Sequence, residues 1–187
     1  LTPIFFTPSR LHGGGMGALQ TLRSIEYGSP LTLTLPPGAG RGLLIHRAIE
    51  LLGQKVPPEK ARSAIGSEIT DEDWSEFEKM TQGFMDCLQA HFQPTALHWE
   101  VPITARNQAG SVVGGTVDLL VETPDGSWVV DHKSDEPQDI AETFHHYLPQ
   151  LQCYAQALSE GLGYDVRGVA IHWACLGIIS VRDGNPL

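Results

Sequence analysis

The sequence predicts an α/β fold, in which a central β-sheet follows a helical N-terminal part. The first observation is a pair of apolar, β-branched runs, Thr116–Glu122 and Ser127–Lys133, separated by Thr123-Pro124-Asp125-Gly126. Pro and Gly at these positions favour a tight reversal, so the two runs predict a β-hairpin. The second observation is helical spacing of apolar residues on both sides of the hairpin, which predicts flanking helices.

Residues 1–39 predict a linker or extended lead-in, because glycines and prolines interrupt every longer periodic pattern. Within this segment, Leu31–Leu35 alternates as a short strand would. The glycine-rich stretch Gly38–Gly42 suggests a phosphate loop, but the GK[ST] that such a loop needs does not follow. A flexible lead into the next helix is the preferred interpretation. One domain is therefore predicted over residues 40–187.

Three helices are predicted before the first long strand. The first spans about 42–52 and carries His46 on an amphipathic pattern. Pro58 starts a short second helix, since proline is tolerated in a first turn. Thr70 caps a third helix over 71–92, whose acidic first turn suits a helix N-terminus.

The strand predicted over 96–105 has the character of a sheet edge. Pro102 lies inside it and cannot donate a hydrogen bond to a neighbouring strand. A turn at 107–110 then leads into the hairpin. The hairpin strands themselves are apolar on both faces, which is typical of the interior of a sheet.

The C-terminal part predicts one long helix and two closing strands. The helix ends near Leu162, and Pro149 implies that it either begins near Leu148 or is kinked. The closing strands are predicted over 166–175 and 177–181.

The hairpin brings chemically informative residues together. If it folds about its turn, Asp118 lies opposite Asp131 with Cβ atoms roughly 4.5–5.5 Å apart. Side chains alternate along a strand, so Lys133 emerges on the face of Asp131 while His132 points to the other face. Two carboxylates and an ammonium therefore converge on one patch.

Two carboxylates this close repel each other, so the arrangement requires a cation. Mg²⁺ suits the patch because hard divalent ions prefer oxygen ligands, and Mn²⁺ is the alternative. The competing interpretation is an ordinary exposed hairpin, in which Lys133 forms a salt bridge with an aspartate. The apolar flanks at Leu119–Val121 and Val129–Val130 argue against that interpretation.

Two further segments carry polar side chains on helical patterns. Gln150 and Tyr154 are one turn apart on a helical pattern, and His46 lies on the first helix. The order of His, Gly-x-x-Asp-like strand, Asp-x-Lys strand and Gln-x-x-x-Tyr helix resembles the RecB-like branch of the PD-(D/E)XK nuclease superfamily. Within that branch, residues 40–175 are most similar to the C-terminal nuclease domain of AddA-type helicase-nucleases. Val117 stands where the proline of the superfamily name is expected.

The resemblance implies a restriction-endonuclease-like core, in which helices flank a mixed central β-sheet, and Mg²⁺-dependent hydrolysis of phosphodiester bonds in DNA. The implied metal ligands are His46, Asp118, Asp131 and the main-chain carbonyl of His132. The implied catalytic residues are Asp118, Asp131, Lys133, Gln150 and Tyr154. A purely structural role for Tyr154 is an equal alternative. Glu100 is either a further acidic residue near the metal or a solvated carboxylate at the sheet edge.

Composition narrows the class of protein. Hydrophobic residues make up 41% and charged residues 18% of the 187 residues, which fits one globular domain. No run of about 18 apolar residues occurs and no basic-then-apolar leader starts the chain, so neither a membrane span nor secretion is predicted.

Three scattered cysteines suit a reduced, cytoplasmic protein and cannot supply the four ligands of the iron-sulfur cluster that some RecB-like relatives hold. The resemblance further implies that the protein is bacterial.

The net charge of −10 is unusual for a protein that binds DNA, because phosphate neutralisation supplies much of the affinity. An acidic nuclease domain must receive its DNA strand from elsewhere. The resemblance accordingly implies two partners, the helicase portion of the same chain and an AddB-type subunit, with exonuclease action in double-strand break repair and recombination. The alternatives are a stand-alone repair or phage-type exonuclease and a non-catalytic scaffold that binds DNA or a partner.

Overall fold

A computed structural model describes residues 22–66, 69–106 and 112–184. The predicted turn at 107–110 and the glycine-rich part of the predicted linker before residue 22 lie outside these residues. No helix in the described part is long and apolar enough to cross a membrane. The elements are β1 (Leu22–Glu26), α1 (Ala39–Gly53), α2 (Pro58–Ile65), α3 (Asp71–His91), β2 (Ala96–Arg106), β3 (Val112–Thr123), β4 (Gly126–Lys133), α4 (Ile140–Leu162), β5 (Val166–Trp173) and β6 (Ile178–Asp183).

The strands form one mixed sheet in the order β1-β6-β5-β4-β3-β2. β4 and β5 are parallel, whereas the other neighbours are antiparallel. Parallel neighbours need a long crossover connection, and α4 provides it. The predicted mixed sheet flanked by helices is therefore confirmed, as is the edge position of β2.

Helices cover both faces of the sheet and create two cores. Residues of α1, α2 and α3 pack against one face, and residues of α4 pack against the other. β3 contributes Leu119 to the first core and Leu120 to the second, because alternate side chains point to opposite faces. The unbroken apolar runs of β3 and β4 are thus explained by burial on both sides.

The β3–β4 hairpin has the predicted register. Its ladder runs from Thr123–Gly126 to Leu119–Val130, and Asp118 and Asp131 follow directly at its end. Gly126 has a φ of 124°, and a Cβ at this position would lie 2.8 Å from the Asp165 carbonyl oxygen. Only glycine avoids both problems at this position.

The N-terminal segment departs from the prediction. Residues 31–35 do not form the expected strand; the strand is β1, which pairs with β6 as the opposite edge of the sheet. The division into a lead-in and a domain from residue 40 stays a prediction, but β1 shows that the sheet recruits a strand from before that point. A long-range pairing of this kind leaves no signal in local periodicity.

The start of α1 differs from the prediction. α1 begins at Ala39, so the stretch Gly38–Gly42 is its first turn and not a flexible lead. α4 begins at Ile140 and continues through Pro149, so the alternative of a start near Leu148 is wrong. The Asp139 side chain caps α4 by accepting a hydrogen bond from the Glu142 N–H at 2.9 Å.

Asp73 is a buried carboxylate that ties the N-terminal segment to α3. It accepts hydrogen bonds from the Thr34 N–H at 2.7 Å and the Thr34 hydroxyl at 2.5 Å. Burial raises the pKa of Asp73, but the hydrogen bonds from Thr34 and from Thr70 outweigh it and leave the pKa below its usual value. The charged form of Asp73 therefore stabilises the fold.

Asp73→Asn should lower the free energy of unfolding by about 1–3 kcal/mol near neutral pH, because an amide cannot accept both Thr34 hydrogen bonds. Since the folded-state pKa is depressed, this stabilisation is present above the unfolded-state pKa of about 4 and is lost as the pH falls through the folded-state pKa. Urea unfolding near neutral pH and at about pH 3 measures both effects. Glu72→Gln, at an exposed neighbour, is the control. An equal loss of stability at both pH values would contradict the assignment.

Candidate active site

The polar residues predicted from sequence meet at the end of the β3–β4 hairpin. β3 supplies Asp118, and β4 supplies Asp131 and Lys133. α4 brings Gln150 and Tyr154 to the same place, since it crosses the sheet face on which Asp131 emerges. The hairpin and the helix that follows it thus build most of this patch.

Asp131 is the most enclosed member of the patch and is 3% exposed. Its Oδ2 lies 2.6 Å from the Lys133 ammonium, and its Oδ1 accepts a hydrogen bond from Gln150 Nε2 at 3.3 Å. The contact with Lys133 is an ion pair without hydrogen-bond geometry, so Oδ2 has no hydrogen-bond donor among the described residues. Within the described part of the chain, Oδ2 of Asp131 is therefore paired with the Lys133 ammonium alone, and a metal ion at this oxygen would compete with that ammonium.

Asp118 is held from two sides. Its Oδ2 accepts a hydrogen bond from the His132 N–H at 2.7 Å and lies 3.6 Å from Nδ1 of His46 on α1. These contacts bring the first helix and the DxK strand to one carboxylate. His46, which lies far from the hairpin in sequence, is thus part of the patch.

The electrostatics favour a bound cation. Burial, and then the negative charge of Asp131, raise the pKa of Asp118 well above its usual value, and the His132 N–H and Lys133 offset this only partly. Burial lowers the pKa of His46, helped by Lys133 and opposed by Asp131. A neutral His46 imidazole has a lone pair to give to a metal.

A hard divalent cation fits the chemistry of these donors, which are two carboxylates and a neutral imidazole. The fit is incomplete in one respect: no three His, Cys, Asp or Glu side chains of the described residues lie close enough together to form a finished metal site. Lys133 contacts the Asp131 oxygen that a metal would use. Main-chain oxygen, water or substrate would have to complete the coordination.

The His132 side chain lies on the opposite face of the sheet from Asp131 and Lys133. It packs edge-on against Phe84 and shares a hydrogen bond with His172, Nδ1 to Nδ1 at 2.9 Å. Burial lowers the pKa of His172 to about 3 and that of His132 well below its usual value, so both rings are neutral. The His132 ring also packs edge-on against the His46 ring, at 5.8 Å between centroids, while the main-chain N–H of His132 holds Asp118.

Gln150 and Tyr154 support the patch from α4. Gln150 Nε2 donates to Asp131 and also to the Tyr154 hydroxyl, at 2.9 Å. Burial raises the pKa of Tyr154 to about 12, so its hydroxyl stays protonated. Tyr154 reaches Asp131 through Gln150, which is compatible with the structural role that sequence left open.

Tyr147 is a member of the patch that the sequence reasoning missed. Its ring lies 4.4 Å from the Lys133 ammonium, and its hydroxyl donates a hydrogen bond to Asp135 at 2.6 Å. It is one helical turn before Gln150 on α4, and residues three apart share a helix face. That spacing was the available signal.

Glu100 extends the negative field at the edge of the patch. It sits on β2 between the pairs Trp99–Leu119 and Val101–Val117, beside Asp118. Its φ of 51° is unusual for a residue with a side chain. Partial burial and then the nearby Glu50 raise its pKa, and its charge contributes to the raised pKa of Asp118.

Comparison with known proteins adds a family-level result. A family model described as the PD-(D/E)XK nuclease superfamily matches residues 26–179, which include every site residue predicted above. No curated protein matches the chain. Seventeen chains of solved structures match it. One of them, described as "Crystal structure of SSO0001", is 17% identical with a TM-score of 0.36; the match covers 75% of this chain and 65% of that one.

Proposed function

Because the chain belongs to the PD-(D/E)XK nuclease superfamily, we propose that it is a divalent-metal-dependent deoxyribonuclease. The observation that supports this most directly is the buried Asp131 carboxylate, which lies 2.6 Å from Lys133 and leaves Oδ2 without a hydrogen-bond donor among the described residues. Asp118 lies beside it with a raised pKa. Such a patch is poorly suited to a purely structural role, because it concentrates unfavourable charge.

Under this proposal, Asp118 and Asp131 hold the metal, with His46 and the main-chain carbonyl of His132 as further ligands. Mg²⁺ is the proposed ion and Mn²⁺ its substitute. When bound, the ion supplies Lewis-acid stabilisation of the scissile phosphate and acidifies a water molecule. The His132 N–H orients Asp118 by donating a hydrogen bond to its Oδ2.

The other residues act on the substrate side. Lys133 would orient the attacking water and stabilise the negative charge that develops on the phosphate. Gln150 fixes Asp131 from α4, and Tyr154 fixes Gln150 in turn. Tyr147 holds the Lys133 ammonium over its ring, so that the ammonium stays beside Asp131.

The biological setting is a further part of the proposal. The net charge of −10 makes unaided DNA capture unfavourable, which supports delivery of the strand by a larger assembly. The motif order, most similar to AddA-type proteins, supports a bacterial, cytoplasmic helicase-nuclease that pairs with an AddB-type subunit. Exonuclease action in double-strand break repair and recombination is the corresponding role.

Digestion of linear single-stranded, linear duplex and circular DNA tests the activity. We expect Mg²⁺ or Mn²⁺ to support degradation of linear DNA and EDTA to stop it, because the carboxylates need a bound ion to act on phosphate. Degradation that persists in EDTA, or none with either metal, would refute the proposed chemistry. Cleavage of circular DNA would refute only the exonuclease assignment and would leave the proposed chemistry intact.

Tyr147 variants test how Lys133 is positioned. Tyr147→Leu should lower kcat by about 2-fold to 30-fold, because cation–π contacts contribute about 0.5–2 kcal/mol. Tyr147→Phe keeps the ring and should lose much less, and so serves as the matched control. Steady-state kinetics on linear DNA measure both variants. A Phe variant as impaired as the Leu variant would assign the effect to the hydroxyl and its contact with Asp135.

A further inference from the structure

A cavity of about 670 Å³ lies beside the proposed catalytic patch. The start of α1 forms one wall, through Gly38, Ala39 and Arg41, and Ser134–Pro137 form another. Ser134 directly follows Lys133, so this cavity adjoins the end of the strand that carries the DxK residues. A Cβ on Gly42 would lie 2.8 Å from the Ser134 hydroxyl, which shows how closely α1 approaches that strand.

The first turn of α1 has the character of an anion site. No side chain caps it, and the residue before it is Gly38. A Cβ at Gly38 or at Gly40 would meet no atom within 4 Å, so the space beside these two glycines is open. Uncapped N–H groups and the positive end of the helix dipole attract anions.

Arg41 supplies a second and separate observation. Its side chain lines the cavity and is 10% exposed, yet its Nε has no hydrogen-bond partner among the described residues. An enclosed guanidinium N–H without an acceptor is unfavourable, so a ligand oxygen that reached it would supply a missing hydrogen bond. Nη2 of the same guanidinium pairs with Glu136 at 2.7 Å.

Glu136 has the properties of a replaceable counterion. The Glu136 side chain is 52% exposed, whereas that of Arg41 is 10% exposed. Glu136 can therefore move away from Arg41 with little loss of its own buried surface. A carboxylate presents two oxygens to a guanidinium, and a phosphate presents the same arrangement with more charge. Glu136 contacts Arg41 through one oxygen, Oε1, and a phosphate oxygen could take its place at Nη2.

We propose that the start of α1 and Arg41 bind a phosphate group of the DNA strand, next to the phosphate that is cleaved, and that Glu136 occupies this place when DNA is absent. The inference rests on the proposed nuclease function for the identity of the strand. It gives the Gly38–Gly42 stretch a role that is not that of a nucleotide-binding loop. The phosphate is either an internal diester or a terminal monoester, because both present non-bridging phosphate oxygens to the site.

Titration of the ¹⁵N-labelled chain with inorganic phosphate, without metal or DNA, tests the site itself. We expect saturable shifts of the Arg41 Nε–H and of the Gly40 amide that sodium chloride of equal ionic strength does not cause. Arg41→Lys should weaken phosphate binding about tenfold, because Lys lacks the planar fork. Glu136→Gln should tighten it, because a competing carboxylate is removed. Arg23→Lys and Glu26→Gln, at exposed positions of β1, are the controls.

Shifts that chloride reproduces, an Arg41→Lys variant that binds as well as the parent, or a Glu136→Gln variant that binds no better would each overturn the inference. The titration does not depend on cleavage. If the chain binds phosphate in this way but does not cut DNA, only the proposed function is refuted. If the chain cuts DNA but does not show these shifts, only the phosphate site is refuted.

Kinetics on two oligonucleotides identify the phosphate. If it is internal, Arg41→Lys should raise KM for 5′-phosphorylated and 5′-hydroxyl strands alike, with a smaller change in kcat. If it is terminal, KM should rise only for the 5′-phosphorylated strand. An unchanged KM for both strands would overturn the inference. Thermal unfolding of the variant shows whether the fold is retained.

Discussion

Replacing Asp131 with asparagine is expected to lower the rate of DNA cleavage by about 10²–10³-fold or more. Asp131 is buried, and its Oδ2 is the oxygen that the described residues leave without a hydrogen-bond donor. Asparagine has nearly the same shape but carries no charge and offers one acceptor oxygen. The proposed metal would lose its most enclosed ligand, and Lys133 would lose its counterion.

Two measurements separate this effect from misfolding. Thermal unfolding of metal-free Asp131→Asn should remain cooperative, because the substitution also relieves repulsion between Asp131 and Asp118. Mn²⁺ binding, followed by water-proton relaxation, should be weakened. Asp125→Asn, at the exposed hairpin turn, removes the same charge and should change neither cleavage nor Mn²⁺ binding. Unchanged metal-dependent cleavage by Asp131→Asn would refute the assignment of this carboxylate.

Lys133→Met should also reduce cleavage by about 10²-fold or more, but with the opposite effect on the metal. The Lys133 ammonium lies 2.6 Å from the Asp131 oxygen that a metal would use, so the two cations compete. Methionine keeps most of the length of the side chain and removes the charge. We therefore expect Mn²⁺ to bind at least as tightly as in the parent chain while cleavage is lost.

The same relaxation measurement decides this second prediction. Lys60→Met, at an exposed position on α2, removes an equal charge away from the patch and serves as the control. If Lys133→Met weakened Mn²⁺ binding, Lys133 would be needed to build the carboxylate site. Its proposed role beside the attacking water would then have no support from this experiment.

The two predictions distinguish the roles of adjacent residues on one strand face. Loss of cleavage together with loss of Mn²⁺ binding identifies a ligand, and loss of cleavage alone identifies a group that acts on substrate. We expect Asp131 to be identified as a ligand and Lys133 as a group that acts on substrate. That outcome would also separate a nuclease from the scaffold alternative, since a scaffold has no cleavage to lose.

The amino-acid sequence by itself determined the features that depend on neighbours in the chain. The Pro-Asp-Gly turn and the alternation of side chains determined the register of the β3–β4 hairpin, which places Asp118 and Asp131 at its end and Lys133 on the face of Asp131. Helical periodicity located α1 with His46 and α4 with Gln150. Turns and periodicities act over a few residues, so local sequence is sufficient to specify them.

Only the tertiary structure decided how distant segments meet. The pairing of β1 with β6, the parallel register that sets His132 against His172, and the Arg41–Glu136 contact join residues that are far apart in sequence. Helix α4 continues through Pro149 because packing of its apolar face against the sheet outweighs one missing backbone hydrogen bond. Such pairings depend on the free energy of burying whole surfaces, to which each local pattern contributes only a part, and no single stretch of sequence encodes them.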